Sequence, residues 1–172
     1  MFFSFRHATP IADSTEVFSR RIPIVATVFR LQDAIAESAA RHAPLILRLG
    51  LGVVFLWFGA LKLFPGVSPA EGLVLETTSF VNPSWFYPLL ACWEIGLGCC
   101  FLSGRGLRLA LPLLFAHMCG TALPLLMVPE TVWTDFPFVL TLEGQYIIKN
   151  LVLVGAGITL WGSLISKKSP RD

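Results

Sequence analysis

Polar and apolar positions separate along this chain into long blocks. Leu45–Phe64, Trp85–Leu102, Leu107–Val128 and Tyr146–Ile165 are apolar almost throughout. Each has the length, about 17–25 residues, at which a helix rising 1.5 Å per residue crosses a hydrocarbon core of roughly 30 Å. The runs are continuous, whereas a membrane β-barrel strand alternates polar and apolar residues. Helices are the other structure that satisfies its own backbone in lipid. The pattern therefore predicts an all-α fold, an integral membrane four-helix bundle.

Within the blocks, the exceptions to apolarity recur at helical spacing, and so mark faces. In the first span Arg48, Gly52, Phe55, Gly59 and Lys62 share a stripe, as do Tyr87, Leu90, Glu94, Gly98 and Phe101 in the second. Leu113, His117, Gly120, Thr121 and Pro124 form the third stripe; Lys149, Leu153, Ala156, Leu160 and Ser163 form the fourth. Small and polar residues on a transmembrane helix belong at contacts with other helices, so these four stripes are expected to face inward. Gly52, Gly59 and Gly98, with Arg48 and Arg105 near one end of the bundle, are the expected structural positions. Cys92 and Cys99 fall on the opposite side of the second span from Glu94.

The intervening segments divide the chain into 1–43, 44–166 and 167–172. Residues 1–13 lack any ordering pattern. Residues 14–41 contain an amphipathic stretch, with Val17, Phe18, Ile22, Val25, Val28, Phe29 and Ile35 as its apolar side; Pro23 either breaks this helix or starts it. A plain tether is an equal reading. In the 65–84 loop, Ser68-Pro69-Ala70-Glu71 has the form of a helix start, with Ser as cap and Glu three residues later. The 129–145 loop mixes acids with Trp133, Phe136 and Phe138. Both loops are expected to act as lids with short helical pieces.

Composition adds two points. With 55% hydrophobic and 14% charged residues and a mean hydropathy of +0.71, the chain departs from soluble domains, where about 25% of residues are charged. Nothing in it points to nucleic acid; membrane lipid is the expected surrounding. Charge placement sets topology. Arg6, Arg20, Arg21, Arg30 and Arg41 precede the first span, Arg105 and Arg108 occupy the second loop, and Lys167, Lys168 and Arg171 follow the last span. Glu71, Glu76, Glu130, Asp135 and Glu143 lie in the other loops. The positive-inside rule then places both termini in the cytoplasm, with the protein multi-pass in an inner (plasma) membrane. The first 43 residues lack a compact apolar core with a cleavage site, so the first span is expected to direct insertion. Cys92, Cys99, Cys100 and Cys119 all lie within spans and form no CxxC pair.

A carboxylate at bilayer depth is costly unless paired or protonated, which makes Glu94 the first candidate for chemistry. Counted from the outer ends of their spans, Glu94 and His117 stand at similar depth. They are expected to meet, either as a proton relay or as a buried structural pair; exposure of either residue to lipid is the remaining alternative. At the outer mouth, Lys62 and Lys149 enter at similar depth, with Asn150 beside the second. Two ammonium groups there need acids. Glu143 is the expected partner, with Glu71 the other, and Lys62, Lys149, Asn150 and Glu143 are the expected floor of a pocket for an anionic or quinone-like head group. Mutual charge neutralisation without a pocket is the structural alternative, as is snorkelling of Lys62 and Arg48 to the two surfaces.

The segments RLGLGVVFLWFGALKL (48–63), WEIGLGCCFLSGRGLRLA (93–110) and LEGQYIIKNLVLVGAGITL (142–160) resemble the DoxX-like membrane proteins. Arg48, Gly59, Lys62, Glu94, Gly98 and Arg105 match the family's pattern, and the resemblance covers about residues 45–162. It implies a four-helix membrane bundle. Some relatives are similar to the small subunit of thiosulfate:quinone oxidoreductase or associate with thiol and oxidative-stress systems; more distant ones act in membrane-protein assembly. Two readings follow. The chain is a small redox-linked subunit, with a redox partner subunit and quinone as the cofactor. It has no flavin or haem motif of its own. Or it is a non-catalytic scaffold or assembly factor. A small proton-coupled transporter is a weaker third, and needs a homo-oligomer.

Overall fold

The computed structural model describes residues 23–166. The chain divides into two compact units, Met1–Ala43 and Pro44–Asp172. In the first, the described residues from Pro23 onward are helical, and Ile24, Val28, Phe29, Leu31 and Ile35 are exposed. The Arg6, Arg20 and Arg21 positions, and the part of the expected amphipathic helix before Pro23, lie outside the described residues. Where the sequence pattern separates an amphipathic helix from the first span, the structure has one helix, α1 (Pro23–Leu61), with Pro44 inside it. Proline inside a helix gives up its own backbone donor and crowds the carbonyl four residues back.

The second unit contains the end of α1, then α2 (Glu71–Thr77), α3 (Pro83–Ser103), α4 (Leu107–Ala122), α5 (Pro124–Met127), α6 (Pro129–Val132), strands β1 (Trp133–Asp135) and β2 (Val139–Leu140), and α7 (Leu142–Ser166). Four stretches, Thr27–Leu61, Pro83–Ser103, Leu107–Met127 and Leu142–Ile165, are long and apolar enough to cross a membrane. The core joins Leu51, Phe55, Leu97, Phe101, Ala110, Leu111, Leu114, Met118 and Leu160. Large side chains such as Trp57, Leu109, Leu126 and Val152 are exposed. A bundle apolar outside as well as inside suits lipid, where close packing rather than water exclusion holds helices together.

Glycine supplies that packing. A methyl group at Gly98 would stand 2.5 Å from the Leu56 backbone nitrogen, and one at Gly59 2.8 Å from the Glu94 Cβ. A methyl group at Gly52 would stand 2.7 Å from Leu102. The first and second spans therefore touch backbone to backbone along the expected stripe. Gly157 on α7 leaves room for the Leu114 and Phe115 side chains of α4. Gly104 and Gly106, with φ of 72° and 71°, make the tight turn between α3 and α4. Any side chain at Gly104 would also collide with the Arg48 guanidinium, which lies against it. Arg105 is exposed between the two glycines.

The opposite end is covered by the lid segments. Thr131 donates a hydrogen bond to the Glu76 carboxylate at 3.0 Å, joining α2 to α6. The Trp133 indole donates to the Leu125 carbonyl at 3.3 Å. The 129–145 segment folds into a helical turn and a small antiparallel hairpin pairing Trp133 with Leu140, an element that the apolar pattern does not predict. The helix start in the first lid is also displaced. Ala70 occupies the cap position of α2 without a side-chain bond, and Glu71 reaches back to the Gly66 N–H at 2.7 Å. Ser68, the expected cap, is buried in the preceding turn.

Candidate functional site

Glu94 sits on the buried face of α3 with Tyr87, Ala91, Leu97, Gly98 and Phe101. Gly59 lets the α1 backbone close against its Cβ. One turn further on, Lys62 places its ammonium 2.7 Å from Glu94 Oε2. His117, on α4, places Nε2 3.2 Å from the other carboxylate oxygen, Oε1. The Phe55 ring packs edge-on against the imidazole, with centroids 5.5 Å apart. All three polar side chains are more than nine-tenths buried. Each Glu94 oxygen thus has its own partner, and His117 donates through its Nε2–H, because a carboxylate only accepts.

The meeting of Lys62 with Glu94 corrects the expected arrangement. Helical side chains lean toward their own N-terminus. α1 runs toward the lid, so Lys62 at its end leans back into the bundle. α3 runs away from the lid, so Glu94 leans up to meet it. Lys62 therefore does not join Lys149 and Glu143. Lys149 is exposed and lies over the Tyr146 ring, 5.2 Å from its centroid. Glu143 is exposed, and no ion pair involving it occurs among the described residues. The inward face of α7 passes through Gly144, Ile147, Asn150, Gly157 and Leu160 instead of Lys149. Asn150 donates to the Thr121 hydroxyl at 3.4 Å, tying α7 to α4. On α4, Gly120 is exposed, and Leu114, His117 and Met118 take the interior, followed by Pro124 at the start of α5. Cys92, Cys99 and Cys119 are free and exposed, away from the carboxylate.

Two further groups belong to the site. The hydroxyls of Tyr87 and Ser68 are buried, and the partner open to each is the other. They are neighbours, with the Glu71 and Glu94 carboxylates in electrostatic range of Tyr87. Tyr87 lies two turns above Glu94 on the same face; Ser68 comes from the lid. The stripe identified Tyr87, but its neighbour arrives from a loop, where no periodicity points. Among the described residues no group of three His, Cys, Asp or Glu side chains is placed to hold a metal ion.

The DoxX family model matches residues 43–128, half of the chain. The chain belongs to the DoxX family. Lys62, Glu94 and His117, and the Tyr87–Ser68 pair, all fall inside the matched segment of this DoxX protein; Glu143, Lys149 and Asn150 fall beyond it. The chain matches no curated protein and no solved structure.

Proposed function

We propose that this DoxX-family protein is a small accessory subunit of a quinone- or thiol-linked redox system of the plasma membrane, with both termini cytoplasmic. In this reading Glu94 and His117 handle its proton. The observation that supports this most is a carboxylate between three spans with an imidazole on one oxygen and an ammonium on the other. An imidazole has two distinct nitrogens, so His117 can pass the Nε2 proton to Glu94 while taking another at Nδ1. Lys62 holds the carboxylate in place and balances its charge before the transfer.

The lid-end residues fit a quinone head group. The Tyr87 and Ser68 hydroxyls are buried side by side, which leaves one O–H of the pair open to a carbonyl oxygen. Lys62 is already paired with Glu94 and offers no free cation there, so a neutral ligand fits better than an anionic one. Electrons would come from the partner; the quinone would supply the redox chemistry.

The test is purification from native membranes in mild detergent, with quinone extraction and identification of co-purifying proteins. Bound quinone and a redox partner are expected, and Glu94→Gln should keep the partner while losing proton-coupled turnover. A quinone-free, partner-free protein, with Glu94→Gln restoring full function to a deletion strain, overturns the reading. The scaffold alternative rests on a specific observation as well: the charges of Lys62 and Glu94 satisfy each other. It expects full function from Lys62→Met/Glu94→Leu, which keeps the packing and removes the chemistry.

A further inference from the structure

The end of the bundle away from the lid holds a feature with no part in the redox reading. A cleft of about 430 Å³ opens there, lined by Arg108, Leu111, Trp161, Leu164 and Ile165. α4 begins at Leu107 and α7 ends at Ser166, so these residues occupy the first turns of one span and the last turns of the other. Trp161 is held by stacking on Phe115, with centroids 5.6 Å apart and planes at 26°. Gly157, one turn deeper, packs against Leu114 and Phe115 and closes the two helices together above the cleft. The walls are apolar and the rim carries one guanidinium. Arg108 is exposed and makes no ion pair among the described residues. Arg48 and Arg105 stand at the same end.

The placement has a chemical meaning in a bilayer. A helix end lies at the depth of the lipid phosphates, where Trp side chains also settle. A guanidinium matches a phosphate with two parallel N–H donors. Basic pockets between spans select negatively charged head groups, because a zwitterionic head group brings its own cation against the arginine. A free anion would satisfy Arg108 but leave the apolar walls uncovered.

We propose that this cleft binds one anionic phospholipid, its phosphate on Arg108 and an acyl chain along Leu111, Trp161, Leu164 and Ile165. The test uses the purified full-length protein, titrated with phosphatidylglycerol or with phosphatidylcholine of identical chains, and read by native mass spectrometry. One phosphatidylglycerol is expected to be retained with roughly fivefold preference, as one basic group provides. Inorganic phosphate at millimolar concentration should not compete. Arg108→Gln should abolish the preference, leaving phosphatidylglycerol bound no better than phosphatidylcholine. Ile165→Trp, which fills the apolar part and leaves the charge, should weaken both lipids. Both positions are exposed, so the fold should tolerate the changes. Equal retention of the two lipids, an unchanged preference in Arg108→Gln, or competition by phosphate each overturns the proposal.

Discussion

Glu94→Gln keeps the size of the side chain and removes its charge. The Lys62 ammonium, 7% exposed, then faces a neutral amide across the distance that is 2.7 Å in the parent. At that separation two unit charges attract by about 6 kcal/mol at an effective dielectric of roughly 20. Desolvating both ions offsets much of this, so the intact pair contributes little net stability. Removing one partner is different: a buried charge left unpaired costs about 3–5 kcal/mol. Lys62 stands at the end of α1 and can swing toward the lid surface, which favours the lower figure, about 3 kcal/mol. Lys62→Met leaves the carboxylate with only His117 and should cost a similar amount. The double variant Lys62→Met/Glu94→Leu removes both charges but leaves the buried His117 donor without its acceptor, and should fall within about 1–3 kcal/mol of the parent. With Glu94→Leu as the matching single variant, of similar cost, the double-mutant cycle then gives a coupling of about 3–5 kcal/mol. Thermal unfolding of purified protein in detergent, followed by circular dichroism, reads this directly. At about 2–4 °C per kcal/mol, each single variant should lower the midpoint by roughly 6–12 °C. Single variants that each cost under about 1 kcal/mol and add independently would refute the buried pair as the centre of the site.

Gly98→Ala should cost about 1–3 kcal/mol, since its methyl group meets the Leu56 backbone, which cannot rotate away; Gly96→Ala, with open space around it, should be neutral or slightly stabilising. Thermal midpoints of the two variants check the contrast. Tyr87→Phe removes a buried hydroxyl whose neighbour is the Ser68 hydroxyl, and should change stability by less than about 1 kcal/mol, while weakening binding of a short-chain quinone measured by tryptophan quenching. On a cysteine-free background, an impermeant maleimide applied to intact cells should label Ser79→Cys and spare Ser103→Cys; the reverse pattern would invert the proposed topology.

Much of this arrangement is legible in the residues taken in order. Four apolar blocks determine four spans, because backbone groups in lipid leave no alternative to helices of that length. The stripe through Gly52, Phe55, Gly59 and Lys62 is the buried face of α1, and Glu94 is buried on the face that spacing assigns it. Glycine and charge are rare enough within a span that their period is a clear signal. The shared depth of Glu94 and His117 also follows from counting 1.5 Å steps.

The partnership of Lys62 was decided by the tertiary structure. Residue counting places a Cα at a depth, but a lysine side chain spans most of a helical turn, and its direction depends on which way its helix runs and what faces it. Lys62 leans inward along α1 and finds the Glu94 carboxylate, so the surface cluster with Lys149 and Glu143 does not form. A rotation of one residue on α7 likewise turns Asn150 inward and Lys149 outward, a difference too small for a mostly apolar span to reveal by pattern. Ser68 comes to Tyr87 from a loop, and the hairpin at Trp133–Leu140 closes over the same end. Loops carry no period, so their contacts exist only once the spans have set where their ends lie.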